Sequence, residues 1–156
     1  TIARPRPCPM PGPLSWPGTA LLFFPLVLTW VGDTAAYAGG TAIGGPKLAP
    51  TLSPKKTWAG AVAGFAGTLL TAAAYAAWVL APAGYTVGIG PALAMGAVIS
   101  VVGQVGDVSE SVFKREVGVK DSSALIPGHG GVLDRFDSLY FVLPVTAGLF
   151  RIFGVA

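Results

Sequence analysis

Between Asp107 and Asp137 the sequence gathers most of its chemistry. Asp107, Glu110, Glu116, Asp121, Asp134 and Asp137 are six of the chain's seven acidic residues, and they fall within 31 positions. Lys114, Arg115, Lys120, Arg135 and His129, the only histidine, lie among them. If a helix runs through Asp107, its carboxylate shares a face with Ser111 and with Lys114 or Arg115. Asp134 and Asp137 share a face in the same way. With Asp107 facing them, they form an oxygen-only site for a divalent ion. Mg²⁺ takes one or two carboxylates plus phosphate oxygens and water. An isolated DxxD is more often an ordinary ion-pairing face, here with Lys114, Lys120 and Arg135 as partners. The density of this cluster favours the metal reading.

Three further features could serve an anionic substrate. Pro127–Gly131 (PGHGG) is a glycine loop whose backbone N–H groups can approach phosphate oxygens closely. A plain turn reads the same way locally, and His129 suits a capped loop as well as a phosphate donor or proton carrier. Lys55 and Lys56 follow Ser53-Pro54, which reads as an N-cap and a proline at the first helical position. Two ammonium groups at a helix N-terminus attract anions; the same pair would equally set membrane topology. Asp33 lies in an apolar stretch, where a carboxylate costs roughly 2.5–3.5 kcal/mol at the bilayer centre and less near an end. It should face a polar cavity rather than lipid.

Other chemistries are excluded. Cys8 is the only cysteine, so no intrachain disulfide and no CxxC zinc pattern exists. One histidine cannot make a multi-His metal site. Any metal is held mainly by oxygen, which favours a hard ion. No GxSxG, Walker or Rossmann motif appears.

The elements that must position these residues are apolar helices. The chain has 156 residues, 53% hydrophobic and 11% charged, against about 25% charged in soluble domains. Four stretches read as membrane helices: about Gly18–Ala38, Thr57–Ala81, Val87–Gln104 and Ser138–Val155. The third can continue through Asp107–Arg115. Small-xxx-small spacings, Gly60 with Gly64 and Ala63 with Gly67, suit close packing of the second helix. Pro25 is tolerable within the first. The expected fold is therefore an all-α polytopic membrane protein with about four transmembrane helices. Residues 1–17, with six prolines, read as a loop or a truncation boundary. Residues 18–156 read as the membrane domain.

The net charge of +3 does not indicate nucleic acid. Seven of ten basic residues lie in Gly39–Lys56 and Gly106–Asp137, two loops that four helices place on one side. The positive-inside rule makes that side cytoplasmic, against the three arginines Arg4, Arg6 and Arg151. Trp30, Trp58 and Tyr140, at helix ends, fit an interfacial belt.

Read together, these motifs resemble one family. Ser111-Val-Phe-Lys114-Arg115, Lys120-Asp121, Pro127-Gly-His129-Gly-Gly131 and Asp134-Arg135-Phe-Asp137 resemble the long, spacing-constrained signature of phosphatidate cytidylyltransferases, the CDP-diacylglycerol synthases. Asp33-Thr-Ala-Ala-Tyr37 and Ser53-Pro-Lys55-Lys56-Thr57-Trp58 look like the family's upstream stretches. The resemblance covers roughly Trp30 to Ser138. Ala59 stands where the family usually has an acidic residue, and Gly39–Pro46 lacks an expected arginine. The family also has further membrane helices upstream, so the chain is expected to be its C-terminal portion.

The resemblance implies transfer of a cytidylyl group from CTP to phosphatidate, releasing pyrophosphate. It implies Mg²⁺, with room for a second, monovalent cation, and a site facing the cytoplasm of a bacterial inner membrane. It also allows a homodimer. In this reading Asp107, Ser111, Asp134 and Asp137 hold the metal. Lys114, Arg115, Lys120, Asp121 and His129 act on the phosphates. Asp33, Ser53, Lys55, Lys56, Gly130, Gly131 and Arg135 bind substrate. Competing expectations are a non-catalytic membrane fragment, a CTP-dependent polyprenol kinase and a transporter.

Overall fold

The structure is a computed structural model that describes residues 15–49, 53–116 and 133–155. Lys120, Asp121, His129, Gly130 and Gly131 lie outside the described residues. For Ser53, Lys55, Lys114, Arg115, Asp134, Arg135 and Asp137 the backbone is described and the side chain is not.

Helix α1 spans Trp16–Ile43, β1 Lys47–Ala49, β2 Ser53–Thr57, α2 Trp58–Tyr75, α3 Ile89–Glu116 and α4 Leu133–Ile152. A π-helical turn, Ala76–Leu80, prolongs α2. Three helical stretches, Trp16–Ile43, Trp58–Leu80 and Ile89–Phe113, are long and apolar enough to cross a membrane. The fourth contributes a shorter apolar stretch, Ser138–Ile152. At 1.5 Å per residue that stretch covers about 22 Å, less than a full hydrocarbon core of roughly 30 Å. The all-α polytopic expectation holds, with three clear spans and a shorter fourth apolar helix.

Helix α1 is longer at both ends than its apolar run suggests. It starts at Trp16, with the Ser15 hydroxyl accepting from the Gly18 amide at 3.4 Å. It continues beyond Ala38 through Gly39 and Gly40, which read as loop residues in isolation. Their lack of side chains is what keeps them helical here. A Cβ on Gly39 would collide with Ala63, and one on Gly40 would lie 3.0 Å from Thr57 Oγ1. The close approach of α1 to α2 offsets the helix-weakening cost of glycine, about 1 kcal/mol per residue. The helix stops at Gly44 and Gly45, both at positive φ.

The packing of α1 on α2 is built from small residues, as the spacing of Gly60 and Gly64 predicts. A Cβ on Gly60 would sit 2.7 Å from the Ala36 carbonyl oxygen, and one on Gly64 2.9 Å from Ala36 Cβ. Without hydrophobic drive between helices in lipid, such backbone proximity supplies the van der Waals attraction. Gly96 on α3 meets Ala72, and Gly106 meets Phe141 of α4, by the same device.

The apolar core lies at the other end of the bundle. Phe24, Leu28, Leu80, Met95, Ile99 and Val142 are fully buried there. Phe24 packs edge-on against Tyr75, ring centres 5.5 Å apart, and against Phe150 at 5.7 Å. The Tyr75 hydroxyl donates to the Ala20 carbonyl at 2.9 Å. Thus the N-terminal half of α1, the C-terminal end of α2, the start of α3 and the end of α4 share one end. The C-terminal half of α1, the hairpin, the start of α2 and the end of α3 occupy the opposite one.

One expectation is overturned. Ser53-Pro54 does not cap a helix. Ser53–Thr57 is a strand paired antiparallel with Lys47–Ala49, Lys47 opposite Thr57 and Ala49 opposite Ser53. Proline fits because both strands of a two-stranded ladder are edges. The N-cap of α2 is Thr57, whose hydroxyl accepts from the Gly60 amide at 3.1 Å. The Trp58 amide donates to Pro46 O at 3.1 Å, tying the hairpin base to the helix start.

Candidate active site

A cavity of about 720 Å³ opens at the polar end of the bundle. Four elements build its wall. Helix α1 supplies Asp33, Tyr37 and Thr41; the hairpin supplies Lys47 and Lys56; α2 begins there with Gly60; α3 supplies Gln104 and Asp107. The glycine approach of α1 to α2 brings Asp33 and the hairpin to the same space. The unbroken run of α3 past Gly106 delivers Asp107.

Lys56 and Asp107 form a salt bridge between Nζ and Oδ2 across this space. The pairing joins the hairpin to α3. Each charge beside apolar helices carries a desolvation cost, which the opposite charge offsets. One turn further on, the Ser111 hydroxyl donates to the Asp107 main-chain oxygen at 3.0 Å. Gln104, one turn earlier, donates from Nε2 to the Ser100 hydroxyl at 3.2 Å and the Ala61 carbonyl at 3.4 Å. Asp107, Ser111 and the backbone of Lys114 and Arg115 thus lie on one continuous helix, as expected if α3 extends.

A smaller cavity of about 30 Å³ lies between α1, α2 and α3, where Thr29, Thr68 and Ser100 sit beside Leu28 and Ile99. It shares Asp33, Ala36 and Gln104 with the larger one. Asp33 thus lines both cavities.

A family model described as the cytidylyltransferase family matches residues 15–153. The chain belongs to that family. Proteins named phosphatidate cytidylyltransferase are 46% identical over 137 residues in Brucella suis, 41% over 128 in Staphylococcus saprophyticus and 46% over 132 in Haemophilus influenzae. These matches cover 88%, 82% and 81% of this chain, but 47%, 48% and 44% of the relatives. The chain spans about half the length of the curated relatives it matches.

Of the residues that the cytidylyltransferase resemblance assigns, the structure brings Asp33, Lys56 and Asp107 to one cavity. Ser111 lies on the same helix as Asp107. Ser53 and Lys55 belong to strand β2 rather than to a helix N-terminus. The backbone of Asp134, Arg135 and Asp137 lies in the first two turns of α4, so the helical premise for the DxxD spacing is met. Gln104 is an addition: an uncharged polar residue in an apolar run, three positions before Asp107, was its available signal.

The donors on the described wall fit a hard cation. They are the Asp33 and Asp107 carboxylates, the Tyr37 and Thr41 hydroxyls and the Gln104 amide oxygen, with no sulfur or imidazole, beside the ammonium groups of Lys47 and Lys56. Among the described residues no group of three acidic, cysteine or histidine side chains gathers. A hard divalent cation such as Mg²⁺ takes one or two carboxylates from a protein when substrate phosphates and water complete its shell.

Proposed function

We propose that this chain carries the cytidylyl-transfer site of a phosphatidate cytidylyltransferase. The observation that carries the reading is the placement of Lys56, Asp107 and Asp33 around one cavity at the end of long apolar helices. Family membership supplies the chemistry. A phosphatidate phosphate oxygen attacks the α-phosphorus of CTP, the new P–O bond forms, and the bond to the bridging oxygen breaks to release pyrophosphate. The nucleophile is already an anion, so the site needs no strong base. Its task is to hold two polyanions in line against their repulsion.

Asp107, Asp134 and Asp137 would hold the divalent cation, Mg²⁺, with Ser111 as a further oxygen ligand. When bound, the cation neutralises phosphate charge and polarises the phosphoryl oxygens. Lys56 and Lys55 neutralise a substrate phosphate. Lys114, Arg115 and Lys120 bind the remaining phosphate oxygens. His129, Gly130, Gly131 and Arg135 shape the nucleotide pocket with Asp121 and Ser53. Asp33 orients polar substrate groups from the α1 side. The basic hairpin and the helix ends flanking residues 117–132 share one end of the bundle, which supports a site facing the cytoplasm of the inner membrane. CTP then enters from water and the lipid from the bilayer.

The test is to place the chain in nanodiscs with phosphatidate, supply CTP and Mg²⁺, and analyse lipids by mass spectrometry. CDP-diacylglycerol is expected, and only with phosphatidate present. A full-length relative assayed beside it as positive control, with no cytidine-bearing lipid from this chain, would contradict the reading.

A further inference from the structure

The salt bridge between Lys56 and Asp107 joins two residues with opposite tasks in the proposed function, and it is on that function that the following rests. An ammonium on the Asp107 carboxylate repels a divalent cation that approaches the same group. Asp107 in turn repels a phosphate that approaches Lys56. We propose that this pair is a charge-exchange latch that couples binding of the divalent cation to binding of the anionic substrate.

The argument is one of charge balance. In the described structure each partner neutralises the other beside apolar helices. A divalent cation arriving alone sets a second positive charge beside Lys56 on the Asp107 carboxylate. A phosphate arriving alone sets a second negative charge beside Asp107. Either step brings like charges together in a partly screened cavity. Arriving together, cation and phosphate exchange partners with the pair, and every charge ends opposite its complement. Each ligand therefore raises the affinity for the other, by an equal factor.

The geometry allows this exchange without unfolding. The Lys56 side chain keeps 25% of its accessible surface and that of Asp107 37%, so both reach the cavity. The partners sit on different elements, a strand of the hairpin and helix α3. A lysine side chain has enough rotatable bonds to swing between them. Lys47 provides an internal comparison. It lines the same cavity and carries the same charge, yet among the described residues no salt bridge joins it to a carboxylate.

The experiment measures Mn²⁺ binding to the full chain in nanodiscs by electron paramagnetic resonance, without nucleotide. Wild type, Lys56→Met, Lys56→Gln, Lys47→Met and Asp107→Asn are compared. The latch predicts that both Lys56 variants bind Mn²⁺ several-fold more tightly than wild type, while Lys47→Met changes little. It also predicts that Asp107→Asn binds pyrophosphate more tightly in EDTA, measured by calorimetry. Equal gains from Lys47→Met and Lys56→Met would show a general field effect and overturn the latch. So would unchanged Mn²⁺ affinity in both Lys56 variants. If Asp107→Asn binds Mn²⁺ as wild type does, the metal assignment itself fails, a result distinct from failure of the latch. Equal size-exclusion profiles and circular dichroism verify folding, and two Lys56 variants guard against a single misfolded protein.

Discussion

At Asp107 a carboxylate from α3 meets an ammonium from the hairpin. The same residue shares its helix with Ser111, whose hydroxyl is bonded to the Asp107 carbonyl. In the proposed function this carboxylate would help hold the divalent cation whose charge offsets that of the phosphates. Replacing it with asparagine keeps the shape and removes the charge. Activity should fall by roughly a hundredfold or more, the scale seen when one preorganised electrostatic partner is lost. The check is the rate of cytidine incorporation into lipid at saturating CTP. Asp134→Asn and Asp137→Asn should each cause a similar loss at limiting Mg²⁺; near-wild-type rates would remove them from the metal set. That Asp107 shares a helix with Ser111 and Lys114 was legible from their spacing. The pairing of Asp107 with Lys56 was not. The two are far apart in the chain, and local spacing carries no register between a hairpin and a distant helix.

The elements matter because two charged segments must meet at one end of the bundle. Gly60 and Gly64 bring α2 against Ala36 of α1. Gly64→Leu inserts a branched side chain where even a Cβ would lie 2.9 Å from Ala36 Cβ and 3.0 Å from the Gly32 carbonyl. It should destabilise the fold by about 1–3 kcal/mol or more, as overpacking does, read as a lower midpoint of thermal unfolding in detergent. Thr57→Ala removes the α2 N-cap and should cost about 1 kcal/mol. A smaller drop for Thr57→Ala than for Gly64→Leu is the expected order. The close-packing spacing on α2 was visible in the sequence because it repeats along one helix. The hairpin was not, since Ser53-Pro54 satisfies a local cap pattern, whereas strand pairing depends on Lys47–Ala49 several residues away. The extension of α1 through Gly39 and Gly40 was hidden for the same reason: its stabilising partner, α2, is tertiary.

On the scale of the whole molecule, the bundle has an apolar end around Phe24, Tyr75 and Phe150 and a polar end around Asp33, Lys56 and Asp107. The proposed orientation puts the polar end in the cytoplasm. In a Cys8→Ser background, Pro46→Cys at the hairpin and Pro82→Cys in the turn after α2 place single thiols at opposite ends. A membrane-impermeant maleimide added to intact cells should label Pro82→Cys, and Pro46→Cys only after permeabilisation. The reverse pattern would place the site outside. The most direct test of the central claim follows the label. The chain is placed in phosphatidate nanodiscs with Mg²⁺ and given CTP labelled at the α- or the γ-phosphate. The α label is predicted to enter lipid while the γ label leaves as pyrophosphate. Entry of the γ label into lipid, with CDP released, would contradict the account.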